Sequence, residues 1–101
     1  MTAHADRSRP ASVLIVDDDP EVRLLLQRWL GDRPYEIHTA AHAEDGLAVC
    51  RSRPVDVAIC DVMMPIRDGL WLADQLHMVS PSTLVIFGTA VDDLPAVNTL
   101  R

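Results

Sequence analysis

Two apolar runs of strand length end in carboxylates. Val55-Asp56-Val57-Ala58-Ile59-Cys60 leads into Asp61 and is followed by Val62-Met63-Met64-Pro65, while Ser12-Val13-Leu14-Ile15-Val16 leads into Asp17-Asp18-Asp19. A third run, Thr83-Leu84-Val85-Ile86-Phe87, ends at Gly88-Thr89-Ala90. In an open parallel sheet, ligands bind beyond the carboxyl ends of the strands, so these side chains can converge although they lie far apart in sequence. Three carboxylates held close together repel one another, and a hard divalent cation with oxygen ligands is the usual means of holding such a set. Magnesium is the natural candidate. A bound cation would also neutralise an incoming phosphoryl group, leaving one carboxylate to attack phosphorus and form an aspartyl phosphate, with the Thr89 hydroxyl donating to a phosphoryl oxygen.

Positioning these groups requires parallel strands, and the chain supplies apolar strands alternating with segments of helical period, the pattern of βα units with helices on both faces of a sheet. The first helix is expected to begin at Asp19-Pro20, since aspartate caps free amides and proline suits the first helical position. Val22, Leu25, Leu26 and Trp29 recur at helical spacing and predict one buried stripe, with Trp29 in the core, before Gly31 stops the helix. A second strand is expected over residues 35–40 and a second helix over 43–53, carrying Leu47 inward. Pro54 separates that helix from the strand ending at Asp61. A third helix is expected over 69–79 with Leu72 and Leu76 inward, and a short helix from Asp92 or Asp93.

At 101 residues the chain is long enough for one core, and a single domain without a second is expected. Residues 1–11 are expected to form a flexible tail and residues 12–101 the domain. Asp and Glu number 15 against 9 basic residues, a net charge of -6, and the basic residues are scattered singly, so direct nucleic-acid binding is not expected. All nine are arginine; lysine is absent from the sequence. No apolar stretch approaches the roughly 20 residues a membrane helix needs, and residues 1–10 lack a secretory pattern, so a soluble cytoplasmic protein is expected. Cys50 and Cys60 form neither a CxxC pair nor a ligand cluster and are read as buried, reduced side chains. Met64 is read as core.

The segments V-L-I-V-D-D-D-P, D-V-M-M-P-x-x-D-G and V-I-F-G-T-A, in that order and at strand-helix spacing, make the chain resemble the receiver domain of two-component response regulators from residue 12 to about 100. That resemblance implies a flavodoxin-like, doubly wound α/β parallel sheet of order 2-1-3-4-5. It implies that Asp61 is the phosphoacceptor and that Asp17 and Asp18 hold magnesium together with Asp61 and the backbone carbonyl of Met63. Asp18 would then be the direct ligand and Asp17 would act through water. Thr89 would be the switch hydroxyl, Ala90 would leave room for phosphate, and Pro65, Asp68 and Gly69 would shape the loop into the third helix. The phosphodonor would be a histidine kinase or phosphotransfer protein.

Against the family pattern, the chain stops in what would be the fourth helix, so a truncated sheet of about four strands and four helices is expected, without the family's fifth-strand lysine. Arg101 is poorly placed to substitute. The fourth strand would then present an apolar edge, which invites homo-oligomerisation. Two other readings stand beside the phosphoacceptor. One is a degenerate, non-phosphorylated receiver acting as a protein-binding or dimerisation module. The other is a small magnesium-dependent phosphatase of the haloacid dehalogenase type, with Asp17 as nucleophile and Asp19 as acid.

Overall fold

Strand and helix alternate throughout residues 9–88, the part of the chain that the computed structural model describes. The elements are β1 (Ser12–Val16), α1 (Pro20–Leu30), β2 (Glu36–Ala40), α2 (Ala43–Ser52), β3 (Val57–Asp61), α3 (Gly69–Val79) and β4 (Leu84–Gly88). All strand pairs are parallel, in the order β2-β1-β3-β4. The expected short helix near Asp92 lies outside the described residues.

Local chemistry sets the helix ends. Asp19 caps α1 by accepting from Glu21 N–H at 2.9 Å, with Pro20 at the first helical position. Asp68 caps α3 by accepting from Trp71 N–H at 2.9 Å. The second strand and the third begin one and two residues later than expected, because Tyr35 and Val55-Asp56 bond as connectors rather than in the ladder. Asp56 accepts from Ser12 N–H at 2.7 Å and pairs with the Arg9 guanidinium at 3.4 Å, tying the start of β3 to the start of β1.

Strand order fixes which face each helix covers. The β1-α1-β2 connection steps one way along the sheet, while β2-α2-β3 and β3-α3-β4 step the other way. Right-handed crossovers therefore put α1 on one face and α2 with α3 on the opposite face. The α2/α3 face buries Leu14 and Val16 of β1, Ala58 and Cys60 of β3, Leu47 and Cys50 of α2, and Leu72 and Leu76 of α3 in one cluster with Met64. Gly46 lets α2 approach β1: a Cβ there would sit 2.8 Å from Val16 Cγ2. Burying this set, at about 25 cal/mol per Å2 of apolar surface, is the main force holding the strand ends in register.

The α1 face corrects the sequence expectation. Val13 and Ile15 are buried beneath it, but no residue of α1 is itself buried, and Trp29 is 52% exposed. Trp29 is therefore not core. Of the expected stripe only Val22 and Leu26 are half-buried, and Leu25 is exposed like Trp29; burial also needs neighbours on that face, and among the described residues α1 is the sole helix there. It packs over β1 and does not cover β4, where Leu84 is 60% and Ile86 46% exposed.

Candidate functional site

Parallel register aligns the ends of the two central strands. Val16 pairs with Cys60, so Asp17 emerges beside Asp61, and Asp61 in turn pairs with Gly88. Asp17, Asp18 and Asp61 each present a carboxylate oxygen within 4.8 Å of the others. Asp17 and Asp61 are buried and Asp18 is exposed, so the cluster opens to solvent on one side.

Backbone amides orient the two buried carboxylates. Asp17 Oδ1 accepts from Asp19 N–H at 2.9 Å, and Asp61 Oδ1 accepts from Met63 N–H at 3.1 Å. Met63, the residue whose carbonyl was expected to complete the ligand set, thus holds Asp61 through its amide, while its side chain is 76% exposed. Burial raises the pKa of Asp17; the Asp19 amide opposes the rise, and the charges of Asp61, Asp18 and Asp19 add to it. Burial raises that of Asp61 as well, against the Met63 amide and with the charge of Asp18. Two partly desolvated carboxylates beside a third suit a hard divalent cation, which would offset both the burial and the added repulsion that raise them.

The neighbouring thiol is no competitor as a nucleophile. Burial, with the nearby Cys50, pushes the Cys60 pKa up to about 12, so it stays protonated and neutral. Both cysteines are buried and free, as the sequence indicated.

After Asp61 the chain turns sharply into α3. Met64 tucks into the core, and Gly69 N–H donates to Val62 O at 3.2 Å, bringing the start of α3 against the Asp61 backbone. Ile66 has φ 71°, a left-handed conformation that is strained for a β-branched residue, and it is 87% exposed. With Pro65, Arg67, His42 and Glu44 it lines a groove of about 260 Å3. Glycine at this position is expected to raise stability by about 1 kcal/mol, because strain is relieved and almost no burial is lost. A thermal melt of Ile66→Gly should move upward by about 4–8 °C; an unchanged or lower midpoint would show that Ile66 is held without strain.

Three of the sequence-chosen side chains therefore meet, Asp17, Asp18 and Asp61, with Met63 adjoining them. Thr89, Ala90 and Arg101 lie outside the described residues. Asp19 is a helix cap, as expected. The sequence reading missed Arg23, which donates through Nη1 to Asp17 O at 2.7 Å. Its available signal was position: Arg23 N–H bonds to the carbonyl of the cap Asp19, so it rises from the first turn above the acidic loop.

Comparison with known proteins shows the family and the fold. The family model described as response regulator receiver domain matches residues 13–100. The transcriptional regulatory protein AruR of Pseudomonas aeruginosa is 34% identical over 90 residues, which cover 84% of this chain and 37% of that protein. The chain spans well under half the length of the curated relatives it matches. Among solved structures, the signal receiver domain of an HD domain-containing protein from Pseudomonas fluorescens superposes with a TM-score of 0.78 at 33% identity, over 89% of this chain and 72% of that one. The response regulator protein TrrA from Thermotoga maritima, in complex with Mg2+-BeF, gives 0.74 at 30% identity, over 89% and 79%.

Proposed function

Because this chain belongs to the response regulator receiver family of two-component systems, we propose that it accepts a phosphoryl group on Asp61 from a histidine kinase or phosphotransfer protein. The observation that carries the reading is the convergence of Asp17, Asp18 and Asp61 within 4.8 Å at the carboxyl edge of the sheet.

Asp17, Asp18, Asp61 and the Met63 carbonyl would hold magnesium, which would supply neutralisation of charge on the phosphoryl oxygens. A carboxylate oxygen of Asp61 attacks phosphorus as the bond from phosphorus to the donor's imidazole nitrogen breaks, and the electron pair leaves with the imidazole. The Met63 amide keeps Asp61 oriented for that attack. Thr89 and Ala90 are assigned to the phosphoryl side. That the similar protein TrrA is found in complex with Mg2+-BeF supports the choice of magnesium as the ion. Family membership displaces the phosphatase reading, and the domain acts as a cytoplasmic signalling acceptor rather than an enzyme, without contacting nucleic acid directly.

A second role, contact with another protein chain through β4, is favoured by one observation. Leu84, Ile86 and Phe87 are 60%, 46% and 43% exposed on the outer strand of the described sheet. At the opposite margin, Glu36 of β2 bonds to His38 and pairs with Arg53, the residue that ends α2.

The acceptor reading is tested by intact mass after exposure to a small acyl-phosphate donor. One phosphoryl adduct is expected with magnesium, forming about a hundredfold more slowly once the ion is chelated. Labelling at equal rates with and without magnesium would overturn the metal assignment.

A further inference from the structure

A cation stands directly behind the acidic loop. Arg23, at the end of the first turn of α1, is half-buried, and its Nη1 donates to the backbone carbonyl of Asp17 at 2.7 Å. The same loop is held by two further bonds: Asp17 Oδ1 accepts from Asp19 N–H at 2.9 Å, and Asp19 Oδ1 accepts from Glu21 N–H at 2.9 Å. These bonds close a ring from the end of β1 through the cap into α1 and back to Asp17. The other described arginines with polar or ring partners are engaged elsewhere: Arg9 with Asp56, Arg53 with Glu36 and His38, and Arg67 over the Trp71 ring.

We propose that Arg23 is a positioning residue for the metal ligands: by fixing the Asp17 carbonyl it sets the Asp17-Asp18 peptide, and hence the direction of both carboxylates toward Asp61. The inference rests on the proposed function, since it presumes that the cluster binds a divalent cation. Its physical logic separates it from simple electrostatics. A guanidinium beside a metal site opposes an incoming cation, so loss of the charge alone would tighten metal binding. Loss of an outer partner that orients ligands instead weakens it, commonly by about 10- to 100-fold. The two effects have opposite signs.

The test uses manganese as a spectroscopic probe, with free Mn2+ read by electron paramagnetic resonance and magnesium as competitor. Arg23→Met is expected to weaken Mn2+ binding about tenfold, whereas Arg23→Lys, which keeps one charged donor, should stay within about threefold of the wild type. Urea unfolding of the metal-free proteins is followed in parallel. A lowered midpoint with unchanged Mn2+ affinity would show that Arg23 only stabilises the fold, and tighter binding would show that its charge is what the site feels; either overturns the inference. If Arg23→Met does not fold, Arg23→Gln, two atoms shorter, serves instead, and an affinity equal to the wild type overturns the inference in the same way. Absence of Mn2+ binding by the wild-type protein would overturn the metal reading itself, and this inference with it.

Discussion

Asp61→Asn should eliminate phosphoryl labelling while making the metal-free domain more stable. The amide has no anionic oxygen to attack phosphorus, so incorporation is expected to fall by about a thousandfold or more. The gain in stability follows from the same carboxylate. Burial and the charge of Asp18 raise the folded-state pKa of Asp61, and Asp17 is raised in the same direction. Between the ordinary carboxylate value and the raised ones, the folded protein holds more protons than the unfolded chain. Stability therefore falls as pH rises through that window, and the loss persists at neutral pH. Asparagine removes one of the repelling charges, so its urea midpoint at pH 7 should exceed that of the wild type, and the difference should shrink on acidification. A lower midpoint at pH 7, with labelling also lost, would mean that Asp61 serves the fold rather than the chemistry.

Gly69→Ala should be the most damaging single-methyl change in the described residues. An added Cβ would fall on the Asp61 carbonyl oxygen and lie 3.0 Å from the Asp61 carbonyl carbon and 3.1 Å from Val62 Cα. All three obstacles are backbone, so no rotamer change relieves them. Glycine is required here by space and not by conformation, since no described glycine has positive φ. The start of α3 would have to move off the very residue it positions. A cost of about 3 kcal/mol is expected, a large share of a small domain's stability, with a melting temperature lower by about 10 °C or more. Gly46→Ala offers the comparison: its Cβ would meet the Val16 Cγ2 methyl at 2.8 Å, which a side chain can yield, so the loss should be smaller. Equal effects at the two glycines would refute the distinction.

Much of the site was legible because strand ends are written in the sequence twice over. The apolar runs locate β1 and β3, and the acids that terminate them need only parallel pairing to meet, which the Val16 to Cys60 register provides. The cap Asp19 follows from residue type beside Pro20, whereas Asp68, expected only as part of the loop into α3, is shown by the structure to cap it. Trp29 shows where such reading stops. Periodicity groups the half-buried Val22 and Leu26 with the exposed Leu25 and Trp29, because exposure depends on what else occupies that face, and the described fold places α1 there without a second helix. Arg23 was hidden for a related reason: a side chain reaching back to a carbonyl six residues earlier leaves no compositional mark. Ile66 was missed because a β-branched residue carries no hint of the left-handed conformation it adopts.

The central claim is most directly tested by mapping the adduct itself. After treatment with an acyl-phosphate donor and magnesium, borohydride reduces an aspartyl phosphate to homoserine, and peptide mass spectrometry locates the altered residue. Homoserine is expected at position 61. Homoserine at Asp17 or Asp18, or none in a folded sample, would contradict it.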